Sequence, residues 1–289
     1  MSMRWMMSLL AALMLLLPCA GVAEDFADSF PGVFLQEGEA PVQTENSYTS
    51  QNIHFEISTM RVEKSDVYVV DIYVRSLAHL QRYYGGGAWK TKTVRMSTLS
   101  EESGAVLAIT GDSSQNFVAG WSIGNGKVWR DTPNRKRDLC ILYNSGEMVM
   151  VQSEDMNHDA IAAQTDSIWH TFLFGPIMLD TEGRALTDFS ESNVERINPR
   201  SVIGYYEPGH YCFVQVDGRD TKSKLEDGKR NRGLTLNELA ELMESLGCTN
   251  AYNLDGGRSS MLWYNGEVIS KPAAADRRIG DIILLKELE

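Results

Sequence analysis

Apolar runs separated by tight-turn residues dominate the chain beyond residue 50. Val67 to Val74 (VYVVDIYV) is a β-rich run, and Ala105 to Thr110 (AVLAIT) fits a short buried strand. Leu77 to Tyr84 reads as a short helix leading into Gly85-Gly86-Gly87. Hairpin signals then repeat. Asn125-Gly126, Asn144-Ser145-Gly146, Glu207-Pro208-Gly209 and Asn265-Gly266 each separate two apolar runs.

One helix carries both of its end signals. Thr235 and Glu238 have capping-box spacing, in which the Thr hydroxyl accepts an orphan N–H and the Glu reaches back. Leu236, Leu239, Ala240, Met243 and Leu246 follow at helical spacing, and Gly247 ends the run. The apolar stretch Ala251-Tyr252-Asn253-Leu254 comes next. The expected fold is α+β, a single domain over 51–289, mainly antiparallel sheet with hairpins and a few packed helices. Residues 24–50 are polar and acidic, and read as a linker.

Residues 1–23 stand apart from the fold. Arg4, the apolar Leu9 to Leu17 and a small-residue stretch ending Gly21-Val22-Ala23 form the pattern of a cleaved secretory signal. The apolar run is shorter than the roughly 20 residues of a spanning helix. An uncleaved membrane anchor and lipidation at Cys19 are the rival readings. All three place the protein outside the cytoplasm, secreted or in the cell envelope.

Composition narrows the function classes. With 43% hydrophobic and 23% charged residues the chain is globular rather than disordered. Its net charge of −12 argues against a nucleic-acid partner, whose affinity needs a basic face. A few placed arginines still create a local anion site. Cys140, Cys212 and Cys248 lack CxxC spacing and read as buried apolar residues, and the scattered histidines give no zinc signature. The sequence leaves the oligomeric state open.

Polar chemistry concentrates at four strand ends. The segment Asn253 to Ser260 (NLDGGRSS) brings Asp255, Gly256, Gly257, Arg258 and Ser259 out of an apolar run together. Paired glycines let backbone N–H groups approach a ligand, and a plain β-turn is the ordinary alternative. Asp217-Gly218-Arg219, Gly111-Asp112 and Asn198-Pro199-Arg200 repeat the strand-end pattern. Three Asp and two Arg in such positions point to one shared pocket.

These segments resemble the phosphodiester glycosidase family over roughly residues 67–285. The resemblance rests on AITGD, NPRSVIG, FVQVDGR, GLTLNELAELMESLG, NLDGG and RRIGDIILL in that order. Thr110, Ser113, Arg258 and the insert Asp220 to Arg232 depart from the family pattern, which has glycine where Arg258 stands. The resemblance implies hydrolysis of a sugar 1-phosphodiester at the anomeric C–O bond, with oxocarbenium character and a phosphate leaving group. Its substrate is a sugar phosphate or envelope glycan. Arg200 and Arg219 are expected to clamp phosphate, since guanidinium binds its oxygens bidentately. Asp112, Asp217 and Asp255 are the candidate catalytic groups, with roles unassigned. Asn253, Gly256, Gly257, Arg258 and Ser259 are the candidate substrate cradle. A carboxylate cluster of this kind also suits Ca²⁺. The alternative function is a non-catalytic module binding a glycan or anionic polymer, with Trp121, Trp129 and Trp263 as its aromatic face.

Overall fold

The computed structural model describes residues 24–134, 136–219, 230–271, 273 and 276–288. Every strand pairing among the described residues is antiparallel. Seven strands form the larger sheet, in the order Val42–Gln43, Ser47–Thr49, Ile53–Val62, Ser65–Val74, His210–Val216, Arg200–Glu207, Asn250–Asn253. Five form a second, ordered Glu267–Val268, Leu262–Tyr264, Leu107–Thr110, Asp281–Leu285, Leu80–Tyr84.

Side-chain alternation explains the layering. Val70, Ile72 and Val74 point into one core with Ile109, Tyr264, Ile283 and Leu285, so the two sheets pack face to face. Val67 and Val69 point the other way, onto Leu236, Leu239, Ala240 and Met243 of the helix Leu236–Ser245. On the far side, Ala108, Ile282 and Leu284 meet Met96 and Leu99 of the helix Met96–Ser103. The order is therefore helix, sheet, sheet, helix. This is the expected α+β architecture. A three-stranded sheet of Met148–Val151, Leu139–Tyr143 and Ile168–Phe172 adjoins the main core.

The local signals form as read. The four hairpins close at their expected turns. The Thr235–Glu238 capping box is present, with Glu238 N donating to Thr235 Oγ1 at 3.2 Å and Thr235 N to Glu238 Oε2 at 2.9 Å. All three described cysteines are buried thiols. Cys212 and Cys248 Sγ lie 3.6 Å apart, over Gly204, where a Cβ would meet them at 2.5 and 2.9 Å.

Two expectations are corrected. Residues 24–50 are no linker: Phe26, Phe30 and Tyr48 are buried in the main core, and residues 42–43 and 47–49 extend the larger sheet. A buried aromatic of this size contributes on the order of 2 kcal/mol, enough to hold a polar segment down. Leu77 to Tyr84 is one 3₁₀ turn, Leu77–His79, followed by the strand Leu80–Tyr84. That strand buries Leu80, Arg82 and Tyr84 in alternation. A charged residue at the central inward position hides the period-two pattern from the sequence. The signal, anchor and Cys19 readings lie outside the described residues. No helix among the described residues is long and apolar enough to cross a membrane.

Candidate functional site

Sheet register brings the strand ends together. Arg200 pairs with Val216 and Val202 with Asn253, so one edge of the larger sheet carries the start of Arg200–Glu207 and the ends of its two neighbours. Leu254 N donates to Ser201 O at 2.8 Å and Gly257 N to Pro199 O at 2.8 Å, which folds the loop after Asn253 back over Pro199-Arg200. Asp255 N donates to Gly111 O at 3.1 Å, tying that loop to the end of Leu107–Thr110 in the second sheet. A cavity of about 410 Å³ opens at this junction. Arg200, Arg219, Asp255, Gly256, Gly257, Arg258 and Ser259 line it, with Asn198, Phe174 and Arg277.

Asp255 is the one carboxyl among the described residues lining the cavity. Ser113 Oγ donates to its Oδ2 at 2.7 Å. Burial pushes its pKa above the ordinary carboxylate value, and the hydroxyls of Ser113 and Ser259 and the charge of Arg277 draw it part of the way back. No described cation lies in ion-pair contact with it. Burial thus makes Asp255 a stronger proton acceptor than an exposed carboxylate.

Arg219 is exposed and bends over Gly257, with Nη2 donating to Asn198 Oδ1. Its backbone sits in the left-handed region at φ 54°, which turns the side chain back over the cavity. Arg258 and Arg277 are exposed at the same cavity.

Arg200 lines the cavity but does a different job from the one expected. It is 2% exposed. Nε donates to Leu234 O at 3.0 Å, and Nη2 to Val194 O at 2.8 Å and Arg196 O at 2.6 Å. Desolvation and the charge of Arg219 lower its pKa to about 10, so it stays protonated at neutral pH. It is a structural clamp on the 194–196 loop that also adds positive charge from below.

Three candidates lie outside the cavity. Asp112 is fully buried, ion-paired to Arg82 Nη2, with Leu173 N donating to it at 2.7 Å and Ser114 N at 3.0 Å. Arg82 Nη2 also meets Asp281 Oδ2 at 2.7 Å, and Ser113 N donates to Asp281 Oδ1 at 3.1 Å. This buried triad sets the loop that presents Ser113 to Asp255. Asp217 is 1% exposed and accepts Lys271 N at 3.0 and 3.1 Å and Gln215 Nε2 at 3.1 Å, bracing a neighbouring loop. Desolvation raises its pKa to about 6. Asn253 Nδ2 donates to Gly175 O at 2.7 Å beside the lining residue Phe174, so Asn253 supports the wall without forming it. A strand-end polar residue turns inward when a distant segment offers it a partner, and these three found one.

The glycines are corrected in part. A Cβ on Gly256 would meet Pro199 O at 2.7 Å, and Gly257 spends its N–H on the same carbonyl. Gly256 and Gly257 line the cavity, but close packing and the turn at φ 61° account for them, not a row of N–H groups aimed at a ligand. The three aspartates sit in separate surroundings. Among the described residues no group of three His, Cys, Asp or Glu side chains is placed to hold a metal ion. Trp121 and Trp263 are buried in the core, and Trp129 stacks on Trp89 with ring centroids 6.3 Å apart.

Sequence reasoning missed Arg277 and Ser113. Arg277 opens the RRIGDIILL segment, where it reads as an ordinary charge before a strand. Ser113 reads only as a departure in the TGDSS segment. Neither has a local signal, because each is defined by what it faces.

Comparisons with known proteins give the family and the fold. Residues 103–286 match the family model described as phosphodiester glycosidase. The chain is 25% identical over 206 residues to the SPbeta prophage-derived uncharacterized protein YomE of Bacillus subtilis (strain 168), covering 68% of this chain and 30% of that protein. It is 28% identical over 102 residues to N-acetylglucosamine-1-phosphodiester alpha-N-acetylglucosaminidase of Bos taurus, covering 32% of this chain and 18% of that protein. The chain thus spans less than a third of the length of either relative. The zebrafish catalytic domain of the latter enzyme, solved auto-inhibited by its pro-peptide, shares the fold with a TM-score of 0.62 at 19% identity, covering 82% of this chain and 83% of that one. A hypothetical protein from Synechocystis does so with a TM-score of 0.59 at 13% identity, over 81% and 62% of the two chains.

Proposed function

The chain belongs to the phosphodiester glycosidase family, and from that premise we propose that it is an exported hydrolase of sugar 1-phosphodiesters acting on an envelope or exopolysaccharide glycan. Residues 1–23 direct the export in this reading.

One observation carries the proposed chemistry: among the described residues a single carboxyl faces a cavity lined by arginines. Hydrolysis of an ordinary glycoside uses two carboxyl groups, one of them to protonate a poor alkoxide leaving group. A phosphate monoester leaves as a stable anion and needs no such acid. What remains to be supplied is a base for water and positive charge for the departing phosphate. Asp255 supplies the first and Arg219 the second, with Arg200 adding its fixed charge from beneath.

In the proposed reaction a water oxygen bonds to C1 of the sugar. The C1–O bond breaks, its electron pair leaves with the phosphate, and Asp255 takes the water proton. Ser113 holds one carboxyl oxygen so that the group faces C1. Preorganised guanidinium groups stabilise the charge developing on phosphate without reorganising.

The test is turnover of a sugar 1-phosphodiester by the purified protein in ¹⁸O-water. The label should enter the free sugar and not the phosphate. Label in the phosphate, or turnover undiminished in Asp255→Asn, overturns the proposal.

A further inference from the structure

The cavity holds more positive charge than a phosphodiester needs. Among the described residues, Arg200, Arg219, Arg258 and Arg277 line it against one carboxyl, Asp255, in a protein whose net charge is −12. A phosphodiester carries a single negative charge, which Arg219 and the buried Arg200 already meet. Four guanidinium groups repel one another, so their company costs stability unless an anion of matching charge sits among them.

The Arg258 and Arg277 side chains make no hydrogen bond or ion pair with any described residue, although acidic residues outnumber basic ones along the chain. Both are exposed, and both reach the same cavity from different segments, one after the Gly256-Gly257 turn and one before the strand Arg278–Ile279. Arg200, by contrast, is fastened to backbone carbonyls, and Arg219 is held by Asn198. The pair is thus an exposed cation site, unpartnered among the described residues, beside a fixed one. The cavity volume of about 410 Å³ lies near the lower end for small-molecule sites. It suits a single sugar with a compact charged head, such as the end residue of a glycan.

We propose that Arg258 and Arg277 form a second anion subsite, and that the substrate carries another phosphate-type group next to the scissile phosphodiester, as a sugar 1-diphosphate ester does. The inference rests on the glycosidase reading for its substrate class, while the subsite itself stands on the charge arrangement. Arg258 and Arg277 are binding and specificity residues here, and Asp255 keeps its role.

Two measurements separate the subsite from the reaction. The first compares kcat/KM for a sugar 1-(methyl phosphate) and for the same sugar esterified to diphosphate, in wild type, Arg258→Ala, Arg277→Ala and Arg258→Lys. The second measures binding of inorganic phosphate and of pyrophosphate by calorimetry in the same proteins. Wild type should favour the diphosphate ester by about tenfold or more, the scale of one charge-assisted contact. Each alanine variant should lose several-fold more on the diphosphate ester than on the methyl ester, and Arg258→Lys should retain part of the preference. Pyrophosphate should bind more tightly than phosphate, and Arg258→Ala should narrow the gap. Turnover of the methyl ester with no preference for diphosphate, or a preference untouched by both alanine variants, overturns the second subsite and leaves the glycosidase reading standing. Pyrophosphate preference that depends on Arg258, with neither ester hydrolysed, supports the subsite and overturns the glycosidase reading. Because both side chains are exposed, melting curves matching wild type complete the comparison.

Discussion

Ser113 Oγ donates to Asp255 Oδ2 at 2.7 Å, joining the loop beyond Leu107–Thr110 to the loop beyond Asn250–Asn253 across two different sheets. The hydroxyl stabilises the ionised carboxylate, while burial opposes it. The balance between the two sets the pH at which the Asp255 carboxyl ionises.

Asp255→Asn should lower kcat by about 10²- to 10⁴-fold, the usual range for a general base, with little change in melting temperature. The wild-type kcat/KM profile should rise with pH through an inflection above the ordinary carboxylate value, because only the ionised form accepts the proton. Ser113→Ala removes a contact that lowers the Asp255 pKa, so its inflection should move to higher pH. An unmoved inflection would make Ser113 a packing residue only.

Arg219 and Arg200 should separate cleanly. Arg219 is exposed, and Arg219→Ala should cut kcat/KM by about 30- to 1,000-fold, equivalent to roughly 2–4 kcal/mol, while leaving stability nearly intact. Arg200→Ala leaves a gap at a buried position and removes the donor to the carbonyls of Leu234, Val194 and Arg196, and should destabilise the fold by about 3 kcal/mol or more. Urea unfolding alongside steady-state kinetics checks both. Equal stability losses in the two variants would contradict the assignment.

Arg82→Met should be among the most damaging core substitutions. It leaves Asp112 and Asp281 buried without their cation, and removing one partner from a buried ion pair costs about 3–5 kcal/mol. Chemical denaturation gives the number directly. A loss below about 1 kcal/mol would mean that water or a rearranged partner reaches the two carboxylates.

Asp217 predicts a pH dependence of stability. Its pKa is raised from 3.8 to about 6 in the folded state, so the native protein holds this proton more tightly than the unfolded chain. The resulting stabilisation is complete below about pH 4 and is lost as pH rises through about 6. Its size is about 3 kcal/mol, by the linkage between pKa shifts and free energy. Asp217→Asn should flatten this fall, so the gap between variant and wild-type unfolding free energies should change by about that amount between pH 4 and pH 7.5. A constant gap would show that the group titrates at its ordinary value.

What the sequence determined by itself is the local and the periodic. The four hairpins, the capped helix Leu236–Ser245 and the strand Ser65–Val74 rest on contacts between near neighbours, and a few residues specify each. That strand ends converge was legible too, and Arg219, Asp255 and Arg258 reach one cavity from such positions. Tertiary structure alone decided which strand-end residues face the cavity and which face protein. Asp112 turned inward because Arg82, thirty residues earlier, is buried beside it, and Asp217 because Lys271 N lies within reach. Arg200 was taken up by carbonyls of its own preceding loop. Ser113 entered the site from the loop beyond Leu107–Thr110, and Arg277 from the residue before Arg278–Ile279, which pairs with Val94–Arg95. The segment over 24–50 became part of the core through two phenylalanines that a polar composition concealed. A charged side chain looks the same in sequence whether it will be solvated, paired or aimed at a substrate. Only the partners that folding brings within about 3 Å, the reach of a hydrogen bond, choose among those fates.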